Sequence, residues 1–293
     1  MNRRQALERA RKILAENKIE DTPLESELLL RHTLKTDRVQ LYLKPGDELT
    51  PQQDYEFWQL VERRVGGEPT AYITGHREFY GLDFHVDRRV LIPRPETELL
   101  VEKAISLARH CASITIAEIG TGCGAIAVCL ALNLPRARIY ATDISAVALE
   151  VASLNSDRHG VANRITLLHG DMLAPLPEPV DLIVANLPYI RRAELNDIRE
   201  PLLALDGGPN GLDNIVKLGY QLVYKLRAGG QLLLEIGQGQ ASAVTSWLYR
   251  LFPGAGIETA PDLAGIERVV SLTPAVASHG TSQLDTELSR MLN

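Results

Sequence analysis

The chain has 293 residues, with 31 Lys or Arg against 37 Asp or Glu, so its formal net charge at pH 7 is −6. This length accommodates one large domain or two modest ones, with enough residues to bury a substantial core. The composition, 45% hydrophobic and 23% charged, is close to the globular average and argues against disordered, collagen-like and coiled-coil proteins. The net negative charge argues against a protein that coats nucleic acid, and we expect no direct nucleic-acid binding.

Apolar runs, cysteines and histidines limit the class of protein further. The longest uninterrupted apolar run covers residues 125–132 and is too short to cross a bilayer, so no membrane association is expected. The charged N-terminus lacks the apolar core of a secretory signal. The cysteines at 111, 123 and 129 form no CxxC pair, and the seven histidines are scattered. We therefore expect a reduced, cytoplasmic protein with neither a structural disulfide nor a metal site.

Residues 1–68 are predicted to form a small helical bundle. Apolar residues recur at helical spacing between Leu7 and Leu14. The segments Asp21-Thr22-Pro23 and Thr50-Pro51 are typical of helix starts, in which a capping side chain precedes a proline in the first turn. Because such stripes of Leu and Trp usually form a core, periodicity alone does not give this bundle a further role.

Residues 69–92 differ in character from the bundle. They contain short, β-rich, alternating segments at 71–73 and 82–86, with glycines at 75 and 81. This pattern predicts a β-hairpin that links the bundle to the rest of the chain.

From about residue 97 onward, predicted strands and helices alternate. Apolar runs predict strands at 114–119, 138–142, 165–169, 181–185, 231–236 and 268–272. Helices are predicted at 125–134, 146–159, 212–226 and 241–251. The alternation is typical of a mostly parallel, doubly wound α/β sheet, in which a ligand binds at the carboxyl ends of the strands. We expect one α/β domain over 93–273 and a polar tail over 274–293.

A glycine-rich loop follows the first strand of this domain. The strand leads directly into Gly120-Thr121-Gly122-Cys123-Gly124, and a helix follows. Such a turn lets a ligand approach the backbone, and the start of the helix offers free N–H groups. The glycines with Ala125 also satisfy the dinucleotide fingerprint, so the loop alone does not distinguish between nucleotide-like ligands.

Carboxylates next to the strand ends narrow the choice of ligand. Asp143 ends the second strand, where it can accept hydrogen bonds from the ribose hydroxyls of NAD or of S-adenosylmethionine. Glu118 precedes the glycines, where it would oppose a pyrophosphate but suit an ammonium group. Glu118 therefore favours S-adenosyl-L-methionine as the cofactor and S-adenosyl-L-homocysteine as its product. Asp171 and Met172 end the third strand and are predicted to bind the adenine amino group and pack on the ring.

A second motif ends the strand 181–185, opposite the glycine loop. It comprises Asn186, Leu187, Pro188 and Tyr189, and it fits an NH2 group of an amide or an aromatic amine, which donates two hydrogen bonds. The side-chain oxygen of Asn186 and the backbone carbonyl of residue 187 can accept both, which aims the nitrogen lone pair at a methyl carbon. Tyr189 can stack on the planar group. We predict Asn186 and Tyr189 to be catalytic and to bind the substrate together with Leu187.

These motifs resemble those of class I S-adenosylmethionine-dependent N-methyltransferases. A more specific segment is similar to the signature of the HemK-type protein-(glutamine-N5) methyltransferases, which modify peptide chain release factors: Leu91-Ile92-Pro93-Arg94-Pro95-Glu96-Thr97-Glu98. Further stretches match in order at 69–75, 79–84, 200–201, 204–208, 211–212, 234–237 and 262–268. The likeness covers roughly residues 5–273 and implies a Rossmann-like methyltransferase domain, a small N-terminal helical domain for substrate recognition and a hairpin linker.

The resemblance also implies an activity and a set of site residues. The activity is transfer of a methyl group from S-adenosyl-L-methionine to the glutamine of the Gly-Gly-Gln loop of a release factor, which would be the protein partner. Residues 120–124, Asp143, Asp171 and Met172 would bind the cofactor, which Asn186 would also face. Residues 186–189 would bind the glutamine side chain, and Pro188 would join Asn186 and Tyr189 as a catalytic residue.

The sequence departs from the family pattern at two site positions. The family usually has Pro where this chain has Leu187, and we expect activity to survive because the proposed role belongs to a backbone carbonyl. Position 172 is often aromatic in the family, and Met172 is expected to weaken adenine stacking.

Other functions remain open on the residues alone. An adenine-N6 methyltransferase acting on RNA or DNA would bind an NH2 of the same kind, and Asn-Leu-Pro-Tyr also resembles ribosomal RNA adenine dimethyltransferases. The charge of −6 and the lack of a basic recognition region disfavour it. An NAD-dependent dehydrogenase leaves residues 186–189 unexplained, and a non-catalytic translation partner leaves the intact glycine loop unexplained.

Charged residues near the start of the α/β domain also have two interpretations. Arg94 and Glu96 follow the hairpin and either join the two halves of the chain in a salt bridge or line the substrate channel. Glu200, which follows the second motif, has the same two interpretations.

Overall fold

A computed structural model of the chain describes residues 1–196 and 198–275, and the chain divides into two compact units. The first unit comprises Met1–Arg77 with Val86–Arg88, and the second comprises Glu78–His85 and the residues from Arg89 onward. Almost all of the predicted polar tail lies outside the described residues. None of the described helices combines the length and the apolar character that a membrane crossing requires.

The first unit is built from helices. They are α1 (Arg3–Glu16), α2 (Thr22–Leu34), α3 (Arg38–Leu43), α4 (Pro51–Val65) and α5 (Thr70–Thr74). Capping boxes at Asn2 and Thr50 satisfy backbone N–H groups at the starts of α1 and α4. The apolar stripes of the helices meet in one core around the fully buried Leu14, Leu29 and Phe57. The helical character predicted for this segment is therefore confirmed.

The predicted strand at 71–73 is wrong, because these residues belong to α5. The N–H groups of Tyr72 and Ile73 both donate to the carbonyl of Pro69, which closes a helical turn. Gly75 then ends the helix in the left-handed region, with φ 75°. The hairpin is consequently shorter than predicted and pairs β1 (His76–Phe79) with β2 (Leu82–His85).

The second unit contains a seven-stranded sheet flanked by helices. Its strands are β3 (Ile114–Ile119), β4 (Ala137–Asp143), β5 (Ile165–His169), β6 (Val180–Ala185), β7 (Leu226–Glu235), β8 (Gly256–Pro261) and β9 (Glu267–Thr273). Its helices are α6 (Glu98–Ala108), α7 (Ala125–Asn133), α8 (Ala146–Arg158), α9 (Asp213–Lys225) and α10 (Ala241–Leu251). The strand order is β5-β4-β3-β6-β7-β9-β8, with β9 antiparallel to both of its neighbours and the other pairs parallel. The predicted mostly parallel α/β sheet is confirmed.

The strand order switches from one side of β3 to the other, and the candidate site lies at this switch point. From β3 the chain adds β4 and β5 on one side, and it then crosses to add β6 and β7 on the other. Ile119 at the end of β3 pairs with Thr142 on one neighbour and Ala185 on the other. The loops that follow β3 and β6 therefore leave the sheet side by side, where open α/β sheets form a ligand crevice.

A buried asparagine on α8 connects the hairpin to the loop after β3. The Nδ2 atom of Asn155 donates to the carbonyl oxygens of His85 at 2.9 Å and Cys123 at 2.8 Å. Its Oδ1 accepts the N–H of His85 at 2.8 Å. One side chain thus satisfies three backbone groups from two distant segments.

We expect Asn155→Ala to lower the free energy of unfolding of the second unit by about 2–4 kcal/mol, because each unsatisfied buried polar group costs about 1–3 kcal/mol. The measurement is urea denaturation followed by Trp247 fluorescence in a Trp58→Phe background, since Trp58 lies in the first unit. Asn133→Ala is the matched control, because its exposed amide contacts only the Cys129 carbonyl within its own helix. Equal losses in both variants would contradict this role of Asn155.

Candidate active site

A cavity opens at the carboxyl ends of β3, β4 and β6. It brings together many of the residues predicted for the site: Gly120, Gly122, Asp143, Asp171, Met172, Asn186, Leu187 and Pro188. The other predicted residues do not line it: Glu118, Thr121, Cys123, Gly124 and Tyr189. The two motifs are distant in the sequence but together line one cavity. Their remaining residues lie outside the set that lines it.

The glycine loop needs its glycines for conformation, and at Gly124 also for space, since a Cβ atom there would lie 3.1 Å from Ala152. Gly120, Gly122 and Gly124 all have positive φ, at 73°, 55° and 82°. A Cβ atom at Gly120 would lie 3.5 Å from the carbonyl oxygen of Asn186 and 3.6 Å from the Leu187 side chain. These are ordinary van der Waals distances, so the two motifs lie in contact, and the positive φ is the reason for glycine at position 120.

Asp143 joins the glycine loop to the end of β4. Its Oδ2 accepts the N–H of Gly122 at 2.9 Å, and its Oδ1 accepts the N–H of Ser145 at 2.8 Å. Burial raises the pKa of Asp143, whereas these backbone hydrogen bonds act in the opposite direction. Because each carboxylate oxygen has a further lone pair, the group can also accept hydrogen bonds from a ligand in the cavity.

The predicted adenine-binding residues share their end of the cavity with a lysine. Asp171 forms an ion pair with Lys217 on α9, with an Oδ2–Nζ distance of 2.5 Å, and both residues line the cavity. Met172 adopts φ 50° and packs partly against the core. An adenine amino group would therefore share the Asp171 carboxylate with Lys217. The sequence offered no signal for Lys217, which is one of the polar residues of an amphipathic helix.

The Asn186 side chain is held by residues outside the second motif. Its Nδ2 donates to Oγ1 of Thr97 at 3.0 Å. Tyr189 donates its hydroxyl to Oε1 of Glu235 at 3.2 Å, and Thr97 lies near enough to the same carboxyl group to lower its pKa by hydrogen bonding. Burial is the larger effect and raises the pKa of Glu235 to about 7. Its Oε2 is buried without a close, well-aligned hydrogen bond.

The backbone of the second motif is fixed by amide side chains. Asn214 donates to the carbonyl of Pro188 at 3.0 Å, and Gln240 donates to the carbonyl of Tyr189 at 3.0 Å. Among the described residues, no hydrogen bond to the carbonyl of Leu187 is found. That carbonyl and Oδ1 of Asn186 are thus the acceptors that the motif leaves for a ligand.

Glu118 contacts other groups than the ligand ammonium group expected from the sequence. Its Oε2 accepts the Thr121 hydroxyl at 2.6 Å and the N–H of Ala127 at 3.0 Å, and the side chain is only 1% exposed. Burial raises its pKa to about 8, so the uncharged form is favoured at neutral pH. In the structure Glu118 ties the glycine loop to α7, and it does not face a ligand ammonium group across the cavity.

Arg94 forms an ion pair with Glu200 inside the second unit. The other oxygen of Glu200 accepts the N–H of Ile92 at 3.0 Å. Arg94 therefore does not form a salt bridge between the two units. Instead, the pair anchors the segment that begins at Pro201, and Pro201 and Leu203 line the cavity.

The cysteines form no disulfide in the structure. Cys111, Cys123 and Cys129 are all free, and burial raises the pKa of the Cys123 thiol to about 12. Within 1–196 and 198–275, no group of three or more His, Cys, Asp or Glu side chains is arranged to hold a metal ion.

Two family models match the chain. One is described as the PrmC N-terminal domain and matches residues 5–75, and the other is the methyltransferase small domain and matches residues 95–204. The chain is similar to the release factor glutamine methyltransferase of Moorella thermoacetica, with 47% identity over 92% of this chain and 97% of the relative. The corresponding protein of Geobacter sulfurreducens is 41% identical over 91% of this chain and 95% of the relative.

Solved structures show the same fold at low sequence identity. The catalytic domain of hMettl16, in complex with MAT2A 3′UTR hairpin 6, matches 70% of this chain and 80% of its own, with a TM-score of 0.55 and 16% identity. A methyltransferase from Pyrococcus furiosus matches 68% of this chain and 91% of its own, with a TM-score of 0.53 and 16% identity. These matches support a methyltransferase fold and carry no information about the substrate.

The raised pKa of Glu118 predicts a pH-dependent stability. Because the carboxyl group takes up its proton more readily when folded than when unfolded, wild-type stability falls as the pH rises from about 4.5 to about 8. Glu118→Gln keeps an oxygen that can accept both hydrogen bonds but cannot ionise. We expect its stability relative to wild type to increase with pH across this interval, by at most about 1.4 kcal/mol per pH unit.

The measurement is urea denaturation at pH 5, 6, 7 and 8, chosen at about one-unit steps across the expected titration. Glu150→Gln is the control, since Glu150 is an exposed residue of α8 that pairs with Arg89. A pH-independent difference between wild type and Glu118→Gln would show that Glu118 is already ionised in the folded protein.

Proposed function

The chain belongs to the release factor glutamine methyltransferase family, and we propose that it methylates the side-chain amide nitrogen (N5) of the glutamine in the Gly-Gly-Gln loop of peptide chain release factors. The methyl donor is S-adenosyl-L-methionine and the product is S-adenosyl-L-homocysteine. The pair of acceptors, Oδ1 of Asn186 and the carbonyl of Leu187, at the end of β6 beside the glycine loop supports transfer to an NH2 nitrogen. The observation that carries the assignment to glutamine is the likeness to release factor glutamine methyltransferases over about nine-tenths of the chain.

The cavity fits the methyl donor in shape and chemistry. The absence of a Cβ atom at Gly120 and Gly122 leaves the backbone open to a ligand at the end of β3. Asp143 lines the cavity where ribose hydroxyls would donate, and Asp171 with Met172 would hold the adenine end. Bound there, the donor supplies an electrophilic methyl carbon attached to a sulfonium leaving group. Asp143, next to the glycine loop, would oppose a pyrophosphate there, whereas Glu118 favours its uncharged form and Asp171 is paired with Lys217.

The protein residues act mainly by position and electrostatics. An amide nitrogen is a weak nucleophile because its lone pair is delocalised, and Asn186 and Leu187 accept its two hydrogens and fix its orientation. Such alignment is worth up to about 7–11 kcal/mol of the activation barrier. The same acceptors stabilise the positive charge that develops on the nitrogen during transfer. The motif contains no strong base, and the proton leaves during or after the transfer, to water or to a transient acceptor.

The rival functions are less well supported. The amide group of glutamine and the amino group of adenine present the same two hydrogens, so residues 186–189 do not separate them. The likeness over nearly the whole chain to curated release factor glutamine methyltransferases favours glutamine. A dehydrogenase and a non-catalytic partner both leave this likeness unexplained.

We extend the proposal to the first unit and to the cellular location. The helical unit, which matches the PrmC N-terminal domain, serves in recognition of the release factor. The enzyme acts in the cytoplasm, where release factors function, and its free cysteines suit that reducing compartment.

Asn186→Ala is expected to lower the turnover number about 10²–10³-fold, by analogy with loss of one fixed hydrogen-bonding group that stabilises a transition state. Affinity for S-adenosyl-L-homocysteine, measured by calorimetry, should remain close to wild type, because the other cavity residues are unchanged. Asn133→Ala, at an exposed position on α7, serves as the control.

The assay offers a release factor, RNA and DNA side by side with labelled donor, and mass spectrometry locates the added methyl group. Methylation of the Gly-Gly-Gln glutamine supports the proposal. Transfer only to nucleic acid would refute the substrate assignment, and unchanged turnover of Asn186→Ala would remove this residue from the chemistry.

A further inference from the structure

Asn214, the second residue of α9, lines the cavity with its amide held in one orientation. Its Nδ2 group donates to two backbone carbonyls, that of Pro188 at 3.0 Å and that of Asp206 at 3.1 Å. An amide NH2 group has two hydrogens, so both are in use. In the reversed orientation the amide oxygen would face two carbonyl oxygens, which only accept hydrogen bonds. These two contacts therefore fix which end of the Asn214 amide is left for a ligand.

The oxygen end of the same amide is open to a ligand. Among the described residues, no hydrogen bond to Oδ1 of Asn214 is found, and Oδ1 does not belong to the fully buried side-chain atoms that lack one. Solvent therefore reaches this oxygen, on a half-buried residue that lines the cavity. Oδ1 of Asn214 is thus an acceptor with a fixed direction, in addition to the acceptors of Asp143, Asp171 and Asn186.

The position of Asn214 on α9 places it beside the predicted adenine end of the cavity. Lys217 follows three residues later on the same face of the helix, and its Nζ binds Oδ2 of Asp171 at 2.5 Å. Gln221, a further turn along this face, accepts the N–H of Leu173 at 2.8 Å. One face of α9 therefore follows the loop after β5, and Asn214 lies at the end of this face next to the second motif.

An adenine amino group has two hydrogens to donate, and Asp171 is already shared with Lys217. We propose that Asp171 accepts one of these hydrogens and that Oδ1 of Asn214 accepts the other, so that Asn214 is a specificity-determining residue for the methyl donor. Because its amide is held by two backbone carbonyls, Asn214 can only accept a hydrogen bond at this point. This inference rests on the proposed function, since it assumes that the ligand carries an adenine.

The test is calorimetry with S-adenosyl-L-homocysteine and with its 6-deamino analogue, in which hydrogen replaces the adenine amino group. The ratio of the two dissociation constants measures how much the amino group contributes to binding. We expect wild type to bind S-adenosyl-L-homocysteine about 10–100-fold more tightly than the analogue. Asn214→Ala should reduce this ratio about 3–10-fold, because one neutral hydrogen bond to the amino group is lost.

Gln240→Ala is the matched control for a purely structural effect. Like Asn214, Gln240 donates to a backbone carbonyl of the second motif, that of Tyr189 at 3.0 Å, but it does not line the cavity. Loosening of the second motif changes the affinity for both ligands alike, so the ratio in Gln240→Ala should equal that of wild type. Circular dichroism melting establishes that each variant is folded.

A crystal structure of wild type with S-adenosyl-L-homocysteine gives a second readout that needs no variant. Oδ1 of Asn214 should lie about 2.7–3.2 Å from the adenine amino nitrogen, and this distance decides the question if Asn214→Ala does not fold. A distance above about 3.5 Å refutes the inference, as does an unchanged ratio in Asn214→Ala or an equal fall in Gln240→Ala.

The outcomes also separate this inference from the proposed function. If wild type shows the contact and the expected ratios but transfers no methyl group to a release factor, the inference stands and the substrate assignment fails. If wild type methylates a release factor but Asn214→Ala keeps the wild-type ratio, the function stands and the inference is refuted. If wild type does not bind S-adenosyl-L-homocysteine, the donor assignment fails and the inference fails with it.

Discussion

The candidate site depends on the pairing of β3 with β6, which sets the glycine loop beside the motif 186–189. Ile119 and Ala185 are partners at the ends of these parallel strands, so the residues that follow each strand emerge next to one another. Gly120, the first residue after β3, adopts φ 73°, which L-amino acids disfavour. A Cβ atom there would make ordinary van der Waals contact with Asn186, 3.5 Å from its carbonyl oxygen, so the backbone conformation and not a lack of space favours glycine. The pairing of β3 with β6 therefore sets the glycine loop and the motif 186–189 beside one cavity.

Two buried carboxyl groups that lie outside the cavity lining hold residues of the two motifs in place. Glu118 at the end of β3 binds Thr121 and α7 and so holds the glycine loop, while Glu235 at the end of β7 binds Tyr189 and lies against Thr97. Burial raises the pKa of both, which is unfavourable for their charged forms. Neither lines the cavity. The buried acids therefore lie outside the cavity and hold residues of the two motifs that line it.

The strands and both motifs could be predicted because their signals are local: buried apolar runs, glycines at a turn, and polar residues at strand ends. The residues that hold the second motif in place could not be predicted. Thr97, Glu235 and Gln240 reach residues 186–189 only through the tertiary fold, and no sequence spacing relates them to Asn186. The strand β8 escaped prediction because it is a mostly exposed edge strand, paired only with β9, and lacks an apolar run. At 71–73 the β-rich composition was misleading, because Pro69 and Gly75 set the bounds of a helix.

The departure at Leu187 shows how backbone geometry can be kept without the residue that usually provides it. A proline at this position would restrict φ and stiffen the motif. Here the Leu187 side chain is buried in the core of the sheet, and the carbonyls of the next two residues accept hydrogen bonds from Asn214 and Gln240. The backbone around the Leu187 carbonyl is thus held by packing of the Leu187 side chain and by amide side chains that bind the two residues after it. Since the proposed role of residue 187 belongs to that carbonyl, the substitution preserves the group that would bind the substrate and changes only the means by which it is held.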